Sequence, residues 1–274
     1  MKSGAAIFLA VFIALGLSWC GFVLAPARQI GGAKQTRILN SPDLYPPGRP
    51  GEANLGLQVY RANGCAACHT EQIRQTGVVC DVVLTSPGKN PAAVSNLVAT
   101  LKLSGLVKED AAAAADKITA AGGKAEMHII ATGPDIARGW GTRRSVAEDY
   151  LYDDPVQLGS LRVGPDLANA GVRRPDLNWQ LVHLYAPASE VKGSTMPPFR
   201  YLFEVRKIGG TGVLPVQTGA TPVPQPAPDA LVFPQGFGPP AGYEVVPKPE
   251  ARQLAAYLLS LRANVPLYSA PISQ

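Results

Sequence analysis

The chain has 274 residues, 46% of them hydrophobic and 16% charged. This excludes wholesale disorder, collagen and coiled coil, and it is too polar for a polytopic membrane protein. With 28 Gly and 26 Pro, short helices joined by long irregular segments are expected, although the level stays below that of a low-complexity chain. The net charge of +5 is concentrated at one end: five basic residues and one acidic residue fall within the first 50, leaving 20 basic against 19 acidic beyond them. A nucleic-acid binder carries its basic residues as a patch on the folded domain, so nucleic acid is excluded as a partner.

Residues 4–25 carry no charge. As a helix they span about 33 Å, enough for a hydrocarbon core of about 30 Å, so a single membrane crossing is expected. The competing readings are weaker. A cleaved signal needs a shorter apolar region and a small-x-small site, whereas here Leu24, Ala25, Pro26 and Ala27 follow. A lipid-modified cysteine needs a small residue where Trp19 precedes Cys20. Residues 1–30 are therefore assigned to an anchor, with Cys20 inside it, and 31–50 to a tether. One basic residue lies before the apolar run and three lie shortly beyond it. That favours the opposite topology by the positive-inside rule, although long domains cross largely regardless of charge.

Residues 55–74 read LGLQVYRANGCAACHTEQIR. Cys65, Cys68 and His69 form C-x-x-C-H, the attachment signature of a c-type haem. Two thiols one turn apart can each bond a vinyl group of one haem, and the adjacent imidazole then becomes an iron ligand. A thioredoxin-like pair should follow a strand, yet Leu55, Val59 and Tyr60 have helical spacing. A zinc site needs two further ligands, for which only Cys80, His128 and His183 remain. One covalent haem c is expected. Such attachment occurs outside the cytoplasm, which sets the domain on the periplasmic side of a bacterial inner membrane and overrides the flanking charges.

For the sixth iron position, Met127, His128, His183 and Met196 are candidates. Met196 stands out in Gly193-Ser194-Thr195-Met196-Pro197-Pro198-Phe199, where two prolines stiffen a loop able to hold a thioether against a haem face. His183 lies in a helix-like stretch over 175–186 with Leu177, Leu181 and Leu184 as its apolar stripe, while Met127 and His128 sit in a strand-like stretch over 125–131. Two residues fit a surrounding shell. The Pro165 carbonyl, in Gly164-Pro165-Asp166-Leu167, could accept the Nδ1 proton of His69, and Arg162 could pair with a haem propionate. A closing helix over 250–262 aligns Leu254, Tyr257, Leu258 and Leu261, and should bury against Leu55, Val59 and Tyr60.

The segments LGLQVYRANGCAACHTEQIR, EDYLYDDPVQLGSLRVGPDLANAG and STMPPFRYLF resemble the membrane-anchored monohaem subunit of cbb3-type cytochrome c oxidases, and together cover roughly half the chain. The resemblance implies Cys65 and Cys68 as thioether sites, His69 and Met196 as axial ligands, and Pro165 as the carbonyl behind His69. It further implies an electron relay from a dihaem subunit or soluble cytochrome to the catalytic haem-copper oxidase subunit, where oxygen is reduced.

Two insertions depart from that pattern. Over 78–133 a strand (81–85), two helices (91–103 and 108–121), a Gly122-Gly123 stop and a second strand (125–130) are expected. This stretch resembles the C-terminal domain of the bacterial ribosomal stalk protein, from which no function is carried over. The alternative is an Ala-rich surface helical hairpin. Nothing in the insertion resembles a second cofactor site, and Cys80 at its mouth reads as a spare thiol rather than a partner of Cys20. Over 209–248 a Pro-rich, nearly uncharged run should wrap as extended chain over a surface.

The expected fold is therefore mainly α: a class I-like cytochrome c domain (51–77 and 134–274) on one transmembrane helix, carrying a small α/β lobe and a Pro-rich loop. The rival functions are a free-standing tethered cytochrome for another respiratory enzyme and an interaction or assembly protein plugged by haem.

Overall fold

The computed structural model describes residues 4–209 and 225–267, and these form two compact units. The first comprises the chain up to Gly48 together with Val146–Val156. Its helices α1 (Gly4–Trp19) and α2 (Ala25–Gly31) are joined without a break by a wide turn, Cys20–Leu24, where the Ala25 N–H reaches back to the Cys20 carbonyl. Pro26 explains the widening. It has no N–H to give, and its ring would strike the carbonyl four residues back in a regular helix. Over Gly4–Gln29 the helix is long and apolar enough to cross a membrane.

The expected tether is not bare chain. Strands β1 (Thr36–Arg37) and β2 (Leu44–Tyr45) pair antiparallel, and the buried Tyr45 hydroxyl donates to Asp149 at 2.8 Å. The segment Val146–Val156 thus groups with the N-terminal unit rather than with the residues on either side of it.

In the second unit α3 (Gly51–Ala62) crosses α10 (Pro249–Ser260). Leu254, Tyr257, Leu258 and Leu261 are buried as their spacing predicts, but the facing stripe differs. Leu55 is 54% exposed, and α3 instead buries Ala53, Gly56, Leu57 and Tyr60. A Cβ on Gly56 would stand 1.9 Å from the Gln253 carbonyl oxygen. The helices meet backbone to backbone where the side chain is absent, so the crossing turns α3 away from the face its large apolar residues suggest.

Strands β3 (Gly77–Ser86) and β4 (Lys124–Thr132) pair antiparallel, with α4 (Pro91–Thr100) and α5 (Lys108–Ala120) between them in sequence. Val82, Val94, Leu106, Ala111, Ala114 and Ile118 bury together in a cluster of their own. Cys80 is a free thiol, as expected, but it is buried in that core, its N–H and carbonyl both bonded to Leu106. Its small apolar side chain suits a packed site.

The short helix α6 (Pro134–Ala137) leads out of the lobe, and α7 (Ala170–Arg173), α8 (Leu177–Tyr185) and α9 (Pro187–Glu190) follow. Helix α8 is N-capped by Asp176, which accepts the Trp179 N–H at 2.6 Å. It buries Leu181, Val182, Leu184 and Tyr185 but leaves the expected stripe member Leu177 exposed.

Strands β5 (Phe203–Lys207) and β6 (Tyr243–Pro247) close a hairpin. Part of the Pro-rich run is thus a paired strand with Val245 and Val246 buried, while residues 210–224 lie outside the described residues. The described return is fastened rather than loosely wrapped. The Asn178 side chain bonds both backbone groups of Val232, Asp229 pairs with Arg252 at 2.6 Å, and Phe233 meets Tyr185 edge-on.

Candidate haem-binding site

Helix α3 ends at a glycine in the left-handed region, Gly64 at φ 65°, which turns the chain into a single tight turn, Cys65–Ala67. The Cys68 and His69 N–H groups both donate to the Cys65 carbonyl, at 3.1 and 3.0 Å. This holds the two cysteines one turn apart with His69 directly behind. Both are free thiols, Cys65 half-buried and Cys68 exposed, and burial pushes the Cys65 thiol up to about 12. The motif follows a helix, not a strand, which removes the thioredoxin-like reading. Among the described residues no three His, Cys, Asp or Glu side chains cluster as a metal site.

A strap formed by residues 158–168 runs along this turn. Ser160 donates to the Ala66 carbonyl at 3.0 Å, Gly164 to Cys68 at 3.0 Å and Leu167 to Thr70 at 2.7 Å, while Glu71 donates to Leu158 at 3.2 Å. The strap ends in the expected contact: His69 Nδ1 lies 2.8 Å from the Pro165 carbonyl. Because a carbonyl only accepts, Nδ1 carries the proton and the Nε2 lone pair is left for a metal. Burial lowers the pKa of His69, with the Pro165 bond and the Asp166 charge opposing. Gly164 is required here, since a Cβ on it would stand 2.2 Å from Cε1 of the ring.

Asp166, 0% exposed, anchors the strap from within. Its carboxylate accepts from the Thr70 hydroxyl at 2.6 Å, the Gln72 N–H at 2.7 Å and the Ala168 N–H at 2.9 Å. On the opposite side of the turn, the buried Glu71 carboxylate accepts the Tyr257 hydroxyl at 3.0 and 2.9 Å. Burial, then the Glu71 charge, holds the Tyr60 hydroxyl well above the ordinary tyrosine range.

Met196 is half-buried against the same core that Cys65, Ala66 and Leu167 border. Its loop is tied down by the Phe199 N–H, which donates to the Leu184 carbonyl at 2.8 Å. The rival candidates stand differently. Met127 and His128 lie on the exposed strand β4 of the lobe, His128 beside Glu126 at 3.8 Å. His183 stacks on Trp179 with centroids 4.8 Å apart. Its buried Nδ1 lacks a hydrogen-bond partner, and burial, reinforced by the charges of His69 and Arg174, pushes the imidazole down to about 4.

Arg162 is engaged by protein acceptors. One terminal nitrogen meets Asp135 at 2.6 Å and the other the Gln72 carbonyl at 2.5 Å, because the strap carries it into a buried acceptor pair. The arginine missed by sequence reasoning is Arg173. It donates to the Asp166 carbonyl, keeps a buried Nε without a partner, and carries a charge that acts on His69. No local pattern marks it, since Arg173-Arg174 reads as an ordinary surface pair.

These residues fit a haem: two thiols one turn apart, an imidazole with Nε2 available, a glycine that leaves its ring room, a thioether on the bordering loop, and buried nitrogens lacking acceptors. Residues 131–210 match a family model described as cytochrome C oxidase, mono-heme subunit/FixO. The match supports the resemblance to the monohaem subunit of cbb3-type oxidases, and it spans the strap and Met196. No curated protein matches the chain.

Proposed function

We propose that this chain is a membrane-anchored c-type cytochrome with one covalent haem, and that it relays electrons to the catalytic subunit of a cbb3-type haem-copper oxidase. The observation that carries the reading is the His69–Pro165 hydrogen bond at 2.8 Å. It ties the C-x-x-C-H turn to the segment matched by the monohaem oxidase family.

In this reading Cys65 and Cys68 form the thioethers, His69 Nε2 and the Met196 sulfur take the axial positions, and the surrounding domain is class I-like. When bound there, haem supplies a one-electron couple whose potential a Met/His pair raises relative to two nitrogens. The chain's own residues do the rest. Pro165 holds the His69 proton on Nδ1 and makes the ring a better donor. Gly164 leaves the ring its space, and Asp166 keeps the strap closed. Arg173 offers a buried N–H suited to a propionate. Leu57, Leu181, Leu254 and Leu258 form an apolar wall that excludes water. Electrons would arrive from a dihaem subunit or a soluble cytochrome on the periplasmic side.

The test has two arms. On a denaturing gel the wild-type chain should stain for covalent haem and the Cys65→Ala/Cys68→Ala double variant should not. From native membranes the chain should copurify with the catalytic subunit, and its deletion should lower oxidase activity. A protein that stains but purifies alone would be a free-standing cytochrome. Activity that survives Met196→Ala would point to the assembly role.

A further inference from the structure

Asp135 lies in the first turn of α6, immediately beyond the inserted lobe, and is 2% exposed. Its carboxylate reaches into the proximal loop. Oδ1 accepts from Arg162 at 2.6 Å and Oδ2 accepts the Arg74 backbone N–H at 2.8 Å, with Arg138 standing at 3.9 Å. Arg162 completes a brace. Its second terminal nitrogen donates to the Gln72 carbonyl at 2.5 Å and lies 3.7 Å from Asp166, and its guanidinium sits over the Trp140 ring at 5.4 Å. Gln72 is thus held at both backbone groups, its N–H by Asp166 and its carbonyl by Arg162. These contacts fix residues 69–74 against residues 160–166, the two segments whose separation sets the His69–Pro165 distance.

We propose that Asp135 and Arg162 form a positioning pair that holds the Pro165 carbonyl on His69 and thereby lowers the reduction potential of the iron His69 would bind. The proposal rests on the haem reading above. A carbonyl accepting from Nδ1 strengthens imidazole donation, which stabilises ferric over ferrous iron. Loosening the brace lengthens that bond and favours the reduced state. The pair touches neither the thioethers nor the axial nitrogen, so attachment should survive its loss.

The experiment uses the full chain, solubilised from membranes, with haem staining followed by a spectroelectrochemical titration. In Arg162→Lys the charge is kept but the fork that serves Asp135 and Gln72 together is lost. The reduction equilibrium should move about threefold towards ferrous, the scale of one weakened hydrogen bond. At 59 mV per tenfold for one electron, that is about 28 mV upward. Asp135→Asn should move it in the same direction, and further, because a buried negative charge is also removed. Glu244→Gln, remote from the brace, should leave it in place. Wild-type potential in haem-bearing Arg162→Lys and Asp135→Asn, or an equal shift in Glu244→Gln, would overturn the proposal. If Asp135→Asn does not fold, Arg162→Lys decides alone. A wild-type chain without covalent haem would instead defeat the haem reading, before any potential is measured.

Discussion

The imidazole of His69 and the backbone carbonyl of Pro165 lie 2.8 Å apart across 96 residues of sequence. The neighbouring Gly164 makes the contact possible, since any Cβ there would fall 2.2 Å from ring Cε1 and 2.7 Å from Nδ1. Gly164→Ala should therefore push the imidazole off its axis while sparing both cysteines. Covalent staining is expected to persist, and the visible spectrum should change from low-spin to high-spin. A wild-type spectrum in this variant would mean that His69 is not the axial ligand held by the strap.

Met196→Ala removes the thioether but leaves the loop anchored by the Phe199–Leu184 hydrogen bond. Haem staining should be unchanged, the thioether-to-iron absorption feature should vanish, and the potential should fall, since methionine ligation raises it. Retention of that feature would move the ligating thioether to another methionine, with Met127 the remaining candidate.

Gly56→Ala tests the crossing of α3 with α10. The added Cβ would sit 1.9 Å from the Gln253 carbonyl oxygen and 2.8 Å from Tyr257 Cβ, so the helices must separate. Overpacking of this kind costs about 2 kcal/mol, or a drop of about 4–8 °C in Tm for a unit of this size. Thermal unfolding followed by circular dichroism measures it, and an unchanged Tm would show that the contact is slack.

Glu244 accepts the Ala227 N–H at 2.6 Å and Arg206 at 2.7 Å, fastening the described end of the Pro-rich segment. The Ala227 bond, then Arg206, holds its carboxyl below the ordinary 4.5. Folding therefore favours the charged form. The contribution is complete above that ordinary value and is lost as pH falls through the lower folded value. Limited proteolysis over residues 225–242 should stay slow from neutral pH down through the ordinary carboxyl range and accelerate only in stronger acid, once the lowered Glu244 carboxyl is protonated. Glu244→Gln should be cleaved faster than wild type at neutral pH, with the difference closing as acid protonates Glu244 in the wild type. A variant as resistant as wild type would place the fastening elsewhere, at Asn178 or Asp229.

Contiguous pattern was enough for the C-x-x-C-H turn, the uncharged anchor, the closing helix and the strands and helices of the lobe. Each is written in residues a few positions apart, where one helical turn or one alternation is the whole signal. The Pro165 carbonyl was singled out by the resemblance to the monohaem subunit, since a Gly-Pro step by itself is too common to point to a partner. Partner choice was not legible in this way. Arg162 reads as a cation for a propionate until Asp135 arrives from 27 residues away, and Glu71 meets Tyr257 across 186. Leu55 belongs to the apolar face of α3 by periodicity, yet Gly56 makes the close contact because backbone can approach backbone only where no side chain intervenes. Sequence alone therefore determined where the candidate chemistry lies, in the C-x-x-C-H turn. The tertiary structure decided what holds that chemistry in place, since burial and long-range hydrogen bonds join residues whose relation no local repeat encodes.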